Sequence, residues 1–218
     1  MAPFDFGQKV DTAQFDKLIE GNYEVNASDY LQKGWEMFKG NIGEFIGFTL
    51  VVFAASLVIS KLGAFGSLLF SALAAPLYAG FSIAAFRILS GKSLQFSDFF
   101  KGFNYFLPLF LAGLASGIIV SVGLALLLLP GIYLAVGYML TTLLVIDHRM
   151  EFWQAMETSR KIVTKNWFAF FIFALLLFLV NVLGIIALGV GLLVTIPITS
   201  CAAAIAYKEI VGLHSTEW

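Results

Sequence analysis

Long stretches without any charged residue alternate with short polar segments along this chain. The longest stretch, residues 102–146, has 45 residues and contains no Asp, Glu, Lys, Arg or His. An α-helix needs about 20 apolar residues to cross a bilayer, so this stretch predicts two membrane spans that turn at Leu129-Pro130-Gly131. Residues 166–207 form a similar stretch of 42 residues, and residues 42–86 contain only two charged residues. The pattern therefore predicts three helical hairpins.

The three hairpins give six predicted spans within one integral membrane domain over residues 27–212. The predicted spans are 42–60, 64–89, 105–129, 131–147, 167–188 and 191–210. Pro76 and Pro197 lie inside spans, where a proline removes one backbone donor and bends the helix. Residues 1–26 are polar and are predicted to be a mobile cytoplasmic tail, and residues 213–218 are predicted to be a short tail.

A short amphipathic segment precedes each hairpin. The first begins at Ser28 or Asp29, which can cap a helix. Its apolar positions, repeated at helical spacing, are Leu31, Trp35, Phe38 and Ile42. The other two segments lie in residues 90–101 and 148–165. A helix with one apolar face lies in the membrane interface. The predicted fold is therefore all-α: a six-helix transmembrane bundle of three repeated helical hairpins, each preceded by an interfacial amphipathic helix.

The junctions between these segments and the hairpins resemble one another. They read Lys39-Gly40-Asn41, Lys101-Gly102-Phe103-Asn104 and Lys165-Asn166. Each Asn is predicted to cap the span that follows. The ends of the first and third hairpins also match, because Pro76 and Pro197 are each followed by an aromatic-basic pair at ten and eleven residues. These matches indicate an internal repeat, a common feature of membrane folds.

The distribution of charge predicts the orientation in the membrane. With six spans, both termini and the linkers between the hairpins lie on one side. That side holds 12 of the 13 Lys and Arg residues, and only Lys61 lies opposite. Since basic residues concentrate in cytoplasmic loops, the sequence predicts a protein of the bacterial cytoplasmic (inner) membrane with cytoplasmic N- and C-termini.

Composition and motifs exclude several classes of function. Charged residues make up 12% of the chain, against about 25% in soluble domains. The net charge of −1 lacks the basic excess of nucleic-acid-binding proteins. No metalloprotease, serine-hydrolase or phosphate-loop motif is present. His148 and His214 are distant in sequence. Asp147-His148 could be a metal-binding pair, but we favour the interpretation that these residues belong to a linker that leaves the membrane. No catalytic residue, metal or cofactor is predicted.

Few polar groups lie within the predicted spans. Asn181 is the most polar and is predicted to form an interhelical hydrogen bond, with a ligand contact as the alternative. Tyr78 and Tyr138 are further candidates for packing or ligand contacts. Small residues at four-residue spacing, including Gly113 and Gly117, predict close approach of helices. That approach is either within the bundle or at an interface with another chain.

Aromatic and basic residues near the predicted cytoplasmic boundary are candidates for contacts with lipid headgroups or a protein partner. They are Trp35, Arg87, Trp153, Arg160, Lys161 and Lys165. Snorkelling of the long side chains to the interface is the simpler alternative. Glu157 and Lys161 are spaced for an i,i+4 ion pair.

Several segments resemble a broad group of uncharacterised bacterial polytopic membrane proteins. This group is related to the membrane domain that precedes the catalytic domain of some glycerophosphodiester phosphodiesterases. The similar segments, within about residues 28–212, are Trp35–Asn41, Ser97-Asp98-Phe99 to Gly102, Pro130-Gly131-Ile132-Tyr133 and Glu157–Ser159 to Asn166. The resemblance implies no agreed activity. No catalytic residue is carried over, because no soluble region is long enough for the phosphodiesterase domain.

These observations predict a non-enzymatic integral membrane protein. It is expected to be an accessory or scaffold subunit, or a lipid- or partner-binding module, of a membrane complex. The expected partners are membrane lipid and a protein of that complex, and not nucleic acid. The alternative is a small transporter or lipid-handling permease. A polar cavity at mid-depth lined by Asn181 and the Tyr residues would favour the alternative, and a dry, closely packed bundle would exclude it.

Overall fold

The described part of the chain is built from helices. The computed structural model describes residues 5–215, except for the side chain of Leu68. A 3₁₀ segment, Phe96–Tyr105, lies between the fourth and fifth α-helices. The α-helices are α1 (Ala13–Glu20), α2 (Ala27–Lys39), α3 (Ile42–Ser60), α4 (Gly63–Leu89), α5 (Phe106–Leu126), α6 (Leu128–Gly137), α7 (Thr141–His148), α8 (Phe152–Lys165), α9 (Trp167–Ile186) and α10 (Leu192–Ile210).

Six helical segments of the described chain are long and apolar enough to cross a bilayer, as predicted. They are Ile42–Ser60, Gly63–Leu89, Phe96–Leu126, Leu128–His148, Trp167–Ile186 and Leu192–Ile210. The third consists of the 3₁₀ segment and α5, and the fourth consists of α6 and α7 with a break after Gly137.

The turn of the second hairpin differs from the prediction at Leu129-Pro130-Gly131. Leu127 has an extended backbone and separates α5 from α6, which begins one residue later. Pro130 lies in the first helical turn, where its missing N–H breaks no intrahelical hydrogen bond. Gly131 serves a different purpose, because a Cβ there would lie 2.5 Å from the backbone nitrogen of Leu124. Its lack of a side chain permits the close approach of α5 and α6.

The membrane-spanning helices form an inner and an outer set. The buried share of the apolar stretch is 53% in α4, 50% in α6 with α7, and 56% in α10. The corresponding share is only 22% in α3, 11% in the 3₁₀ segment with α5, and 17% in α9. The second span of each hairpin therefore lies inside the bundle, and the first span presents most of its surface outward.

Each inner helix packs against the short segment that precedes another hairpin. α4 packs on the 3₁₀ segment, α7 packs on α8, and α10 packs on α2. The segment before each hairpin thus covers the inner helix of the hairpin before it in the chain, and α2 covers the inner helix of the last. The end of the chain closes onto its beginning in this way.

The first of these segments, α2, begins one residue after Asn26. The Oδ1 of Asn26 accepts from the backbone nitrogen of Asp29 over 3.2 Å, so the predicted cap at Ser28 or Asp29 is wrong. Gly34 lies against α10, where a Cβ would be 2.8 Å from the carbonyl oxygen of Ile198. α2 therefore meets α10 backbone to backbone, and it is more than a helix resting on the lipid surface.

The 3₁₀ segment and α8 each bury one face in the protein. The ring of Phe99 is fully buried and stacks on Phe48 with ring centroids 4.6 Å apart. On α8, Ser159 Oγ donates to the carbonyl of Gly137 over 2.7 Å and accepts from the backbone nitrogen of Leu140 over 3.1 Å. These two backbone groups border the break between α6 and α7, so Ser159 satisfies them where the helix does not.

The predicted asparagine caps are wrong at all three junctions. Asn104 lies inside the 3₁₀ segment, and the N-cap of α5 is Tyr105. Asn41 and Asn166 occupy the N-cap positions of α3 and α9, but neither side chain makes a capping hydrogen bond. Asn41 Nδ2 donates to the carbonyl of Met37 over 3.1 Å, and Asn166 Nδ2 donates to the carbonyl of Tyr23 over 2.6 Å. Asn41 therefore ties α2 to the span that follows it, whereas Asn166 ties the start of α9 to the stretch between α1 and α2.

Residues 5–26 pack on the bundle, which corrects the prediction that this segment is a mobile tail. The backbone nitrogen of Gln8 donates to the carbonyl of Arg149 over 2.9 Å. Val10 exchanges two hydrogen bonds with the side chain of Gln154, at 2.9 and 2.6 Å. Phe15 on α1 is only 2% exposed. Burial of this ring favours docking, and Leu18, Ile19 and Tyr23 also pack against the core, so the average polarity of the segment is a poor guide to its order.

Candidate functional site

An open cleft of about 330 Å³ lies between the inner helices and α9, with the exposed rings of Tyr78 and Phe178 on its wall; we call it the central cavity. Thr199 on its wall lies near the middle of α10, which places the cavity at mid-depth in the bundle. The inner helices supply most of the wall, and α9 supplies the remainder. The lining residues are Ala75, Tyr78, Ser82, Met139, Thr142, Leu143, Leu177, Phe178, Asn181, Thr199, Ser200 and Ala203.

Two inner helices contribute matched positions to this wall. Tyr78 and Thr199 each lie two residues after a helix proline, and Ser82 and Ala203 each lie six residues after it. Positions three to four residues apart share one helix face, so α4 and α10 direct equivalent faces at the central cavity.

Asn181 lines the central cavity and links α9 to α10. Its Nδ2 donates to the carbonyl of Leu177 over 3.0 Å and to Thr199 Oγ1 over 3.2 Å. Thr199 Oγ1 in turn lies 2.9 Å from the carbonyl oxygen of Thr195, to which it donates. The Oδ1 of Asn181 is buried and makes no hydrogen bond to the described part of the chain. An unpaired buried acceptor of this kind is unfavourable.

Four further hydroxyl groups surround the central cavity. They belong to Tyr78, Ser82, Thr142 and Ser200. Hydroxyls can both donate and accept, so this wall can pair with either kind of polar group. No Asp, Glu, Lys, Arg or His is among the residues that line the cavity.

Tyr138 does not line the central cavity. It lies at the end of α6, half-buried. Tyr133 is also elsewhere, since its Oη lies 2.6 Å from Thr164 Oγ1 and its ring stacks on Trp167. Of the tyrosines predicted near the membrane core, Tyr78 is the one that the fold brings to Asn181. Helical periodicity alone does not reveal which faces meet.

Gly113 and Gly117 line a second, largely apolar groove of about 670 Å³ between α4 and α5. A Cβ at Gly113 would lie 3.9 Å from the Cβ of Ala75, and one at Gly117 would meet nothing within 4 Å. The predicted close approach of helices is therefore loose here. Ala75 lines both this groove and the central cavity.

A buried polar cluster that sequence reasoning missed surrounds Asp147 at the end of α7. The Asp147 carboxylate is 1% exposed and accepts from Tyr207 Oη over 2.8 Å. It also accepts from the backbone nitrogens of His214 and Ser215, over 3.0 and 2.9 Å. The rings of His148 and His214 stack with centroids 4.7 Å apart. The distance between the two histidines in sequence concealed this arrangement, in which Asp147 anchors the C-terminal tail.

Helix α1 covers this cluster. The ring of Phe15 packs edge-on against His148 with centroids 5.0 Å apart, and Gln14 Nε2 lies 3.5 Å from His148 Nδ1. A small cavity of about 140 Å³ remains between α1 and the C-terminal tail. Within the described residues, no group of three or more His, Cys, Asp or Glu side chains is arranged to hold a metal ion.

The predicted headgroup contacts fall into two groups. Trp35, Trp153, Lys161 and Lys165 are exposed. Arg87 instead lies 2.8 Å from the buried Asp98 carboxylate, and Arg160 donates two hydrogen bonds to Glu157. The bonds from Arg160 lower the pKa of the Glu157 carboxyl below its usual value. Glu157 thus pairs with Arg160, and not with Lys161 as predicted, because the i,i+3 geometry reaches both carboxylate oxygens.

No family model matches this chain, and no curated protein or solved structure does either. The resemblance to the membrane domain of glycerophosphodiester phosphodiesterases stays a prediction.

Proposed function

We propose that this chain is a non-enzymatic, lipid-binding integral membrane protein and that the central cavity is its binding site. The observation that carries the proposal is a polar cavity of about 330 Å³ at mid-depth. Polar groups inside a membrane bundle are costly and are often functional. The apolar groove that shares Ala75 with the cavity supports an amphiphilic ligand, with a polar part in the cavity and an acyl chain beside it.

Binding is favoured over catalysis by the chemistry of the wall. A hydroxyl nucleophile needs a neighbouring base, and the lining residues supply hydroxyls and one amide without a carboxylate, imidazole or amine. The same set of groups suits hydrogen bonding to a neutral ligand.

Native mass spectrometry of the full chain, released gently from detergent micelles, tests the proposal. We expect the purified wild-type protein to retain added lipid. Ala203→Phe places a ring in the wall of the central cavity and is expected to abolish retention. Ala135→Phe, at an exposed position of α6, is the matched control and is expected to retain lipid. Equal retention by both variants would contradict the proposed site.

A small lipid-handling permease is the second candidate. It is favoured by the same polar cavity, whose wall includes Asn181 and Tyr78. The break between α6 and α7, and the prolines within α4 and α10, also favour it. Interrupted spans are common where transporters bind substrate. Proteoliposomes test it: a permease moves a labelled lipid between leaflets faster than protein-free vesicles do, and a binding module does not.

The three hairpins are proposed to be an internal repeat with interfacial amphipathic segments. Two observations support this proposal. The second span is the more buried one in every hairpin, and each inner helix packs on the short segment that precedes a different hairpin. Spin labels report the depth of side chains in a bilayer. We expect labels at Trp35 and Trp153 to report the headgroup level; a label in the hydrocarbon core would contradict the interfacial position.

We propose the bacterial inner membrane as the location, with both termini in the cytoplasm and a protein partner on that side. The concentration of Lys and Arg supports the orientation, and the exposed Trp153 and Lys161 support a docking surface on α8.

A C-terminal reporter that is active only in the periplasm would contradict the orientation. Photocrosslinking from position 153 should capture one consistent partner, and position 61 is the control on the opposite side.

A further inference from the structure

The wall of the central cavity restricts the charge of its ligand. The polar lining residues are Tyr78, Ser82, Thr142, Asn181, Thr199 and Ser200. An ionised headgroup that enters such a site loses its hydration and gains no opposite charge. An uncharged polar group loses less hydration and can form hydrogen bonds with these side chains, so the wall favours a neutral ligand.

The orientation of the Asn181 amide indicates that the cavity prefers a ligand with a hydrogen-bond donor. The carbonyl oxygen of Leu177 can only accept, so the atom of Asn181 that faces it at 3.0 Å must be Nδ2. This assigns the remaining oxygen, Oδ1, as the atom without a partner in the described part of the chain. A ligand that donates a hydrogen bond removes this unfavourable group, whereas a ligand with acceptors alone does not.

We infer that the ligand of the central cavity is an uncharged lipid alcohol, whose hydroxyl donates to Asn181 Oδ1 and accepts from one of the wall hydroxyls. The inference rests on the proposed lipid-binding function. A monoacylglycerol has the required chemistry. A fatty acid or an anionic phospholipid carries a charge that the wall does not balance.

Access to the Asn181 oxygen requires one side chain to turn. Oδ1 is shielded from solvent by its neighbours. Phe178 lies one turn earlier on α9, lines the same cavity and is 62% exposed. A ring with that much free surface can change rotamer at low cost. The inference assigns Phe178 as the side chain that turns aside when a ligand approaches the amide from the outer side of α9.

Photolabelling of the full chain in neutral detergent at pH 8 tests the inference. Three probes carry the same diazirine-bearing acyl chain: a 1-monoacylglycerol, its di-O-methyl ether, and the free fatty acid, which is ionised. We expect the monoacylglycerol to label residues 71–75, 113–122, 139–143 and 199–203 preferentially, because its acyl chain lies in the apolar groove and its polar part lies in the central cavity. The dimethyl ether lacks both hydroxyl donors and so cannot form the one hydrogen bond to Asn181 Oδ1, which should reduce its labelling about 2- to 10-fold. The fatty acid should label these residues least.

Asn181→Leu, which keeps a similar shape, should abolish the difference between the monoacylglycerol and its ether. The comparison of probes on the wild-type protein remains decisive if this variant fails to fold. Equal labelling of the cavity by all three probes would overturn the inference and leave the lipid-binding function intact. Labelling confined to the outward surface of α3, with none in the apolar groove or the central cavity, would overturn the lipid-binding function itself.

Discussion

Asp147 is the residue whose environment differs most from its appearance in the sequence. Its carboxylate accepts hydrogen bonds from Tyr207 Oη and from the backbone nitrogens of His214 and Ser215. Asp147→Asn removes the charge and replaces one acceptor by a donor that faces these N–H groups. We expect the free energy of unfolding to fall by about 1–3 kcal/mol and the amides of residues 214 and 215 to exchange hydrogen faster.

The control for this change is Asp16→Asn on the exposed side of α1, which should alter the free energy of unfolding by less than about 0.5 kcal/mol. Hydrogen exchange monitored by mass spectrometry measures the tail directly. Unchanged exchange at the C-terminal tail in Asp147→Asn would show that the carboxylate does not hold it.

Single residues also mark the limit of sequence reasoning. The interhelical hydrogen bond of Asn181 can be predicted from sequence, because a primary amide in an apolar stretch needs a partner. The structure has this bond, from Asn181 on α9 to Thr199 on α10. Tyr138 does not line the central cavity, and its position in the sequence does not indicate which helix it faces. The stacking of His148 on His214 brings together residues from two distant helix ends, and no local pattern encodes such a contact.

At the scale of elements, the contact between α2 and α10 depends on Gly34. A Cβ at this position would lie 2.8 and 2.9 Å from backbone atoms of Ile198 and Ala202, which cannot move aside singly. Gly34→Ala is expected to lower the stability in detergent by about 1–3 kcal/mol through overpacking. Thermal unfolding, with loss of helical circular dichroism, measures this change.

Gly43→Ala is the matched control on α3. A Cβ at Gly43 would meet nothing within 4 Å, so alanine there gains its better helix propensity, about 0.5–1 kcal/mol. The two Gly→Ala substitutions should therefore shift Tm in opposite directions. A lowered Tm for both would indicate that close approach at Gly34 is not the cause.

Docking of α1 depends on Phe15, which is 2% exposed and packs on His148. Phe15→Ala removes about 3 kcal/mol of packing, and α1 should detach while the membrane-spanning helices stay folded. Limited trypsin digestion should then cut faster after Lys17. The control is Phe6→Ala, at a position 62% exposed, which should not change the rate. Equal digestion rates for Phe15→Ala and the wild type would refute the docking.

The elements were predicted unevenly for a physical reason. The spans follow the charge pattern, since ionised groups are excluded from hydrocarbon, and that pattern is local. The turn near Pro130 was misplaced because proline is tolerated in a first helical turn as readily as in a loop. The amphipathic segments are predicted to lie on lipid, yet α2 buries the face with Tyr30, Gly34 and Phe38 in the protein and leaves Trp35 exposed. An apolar face fits lipid and protein equally, so its pattern does not reveal which one covers it.

At the scale of the whole molecule, six apolar helices pack together, and the central cavity lies between the inner helices and α9. Outer spans α3, α5 and α9 shield inner spans, and the inner spans carry the hydroxyls that surround Asn181. Composition predicted the membrane class, but the cavity arises from the side-by-side arrangement of helices distant in sequence. The proposed polar site consists mostly of Ser, Thr and Tyr residues, none of which indicates a binding site when its position in the sequence is considered alone.

The most direct test is a high-resolution cryo-electron microscopy map of the chain in nanodiscs that contain a monoacylglycerol. A fiducial binder fused to an exposed loop would provide the necessary mass. We predict elongated density that enters the central cavity, with its polar end next to the Asn181 amide. A bundle in which side chains close the cavity completely, with lipid density only outside α3, α5 and α9, would contradict the account.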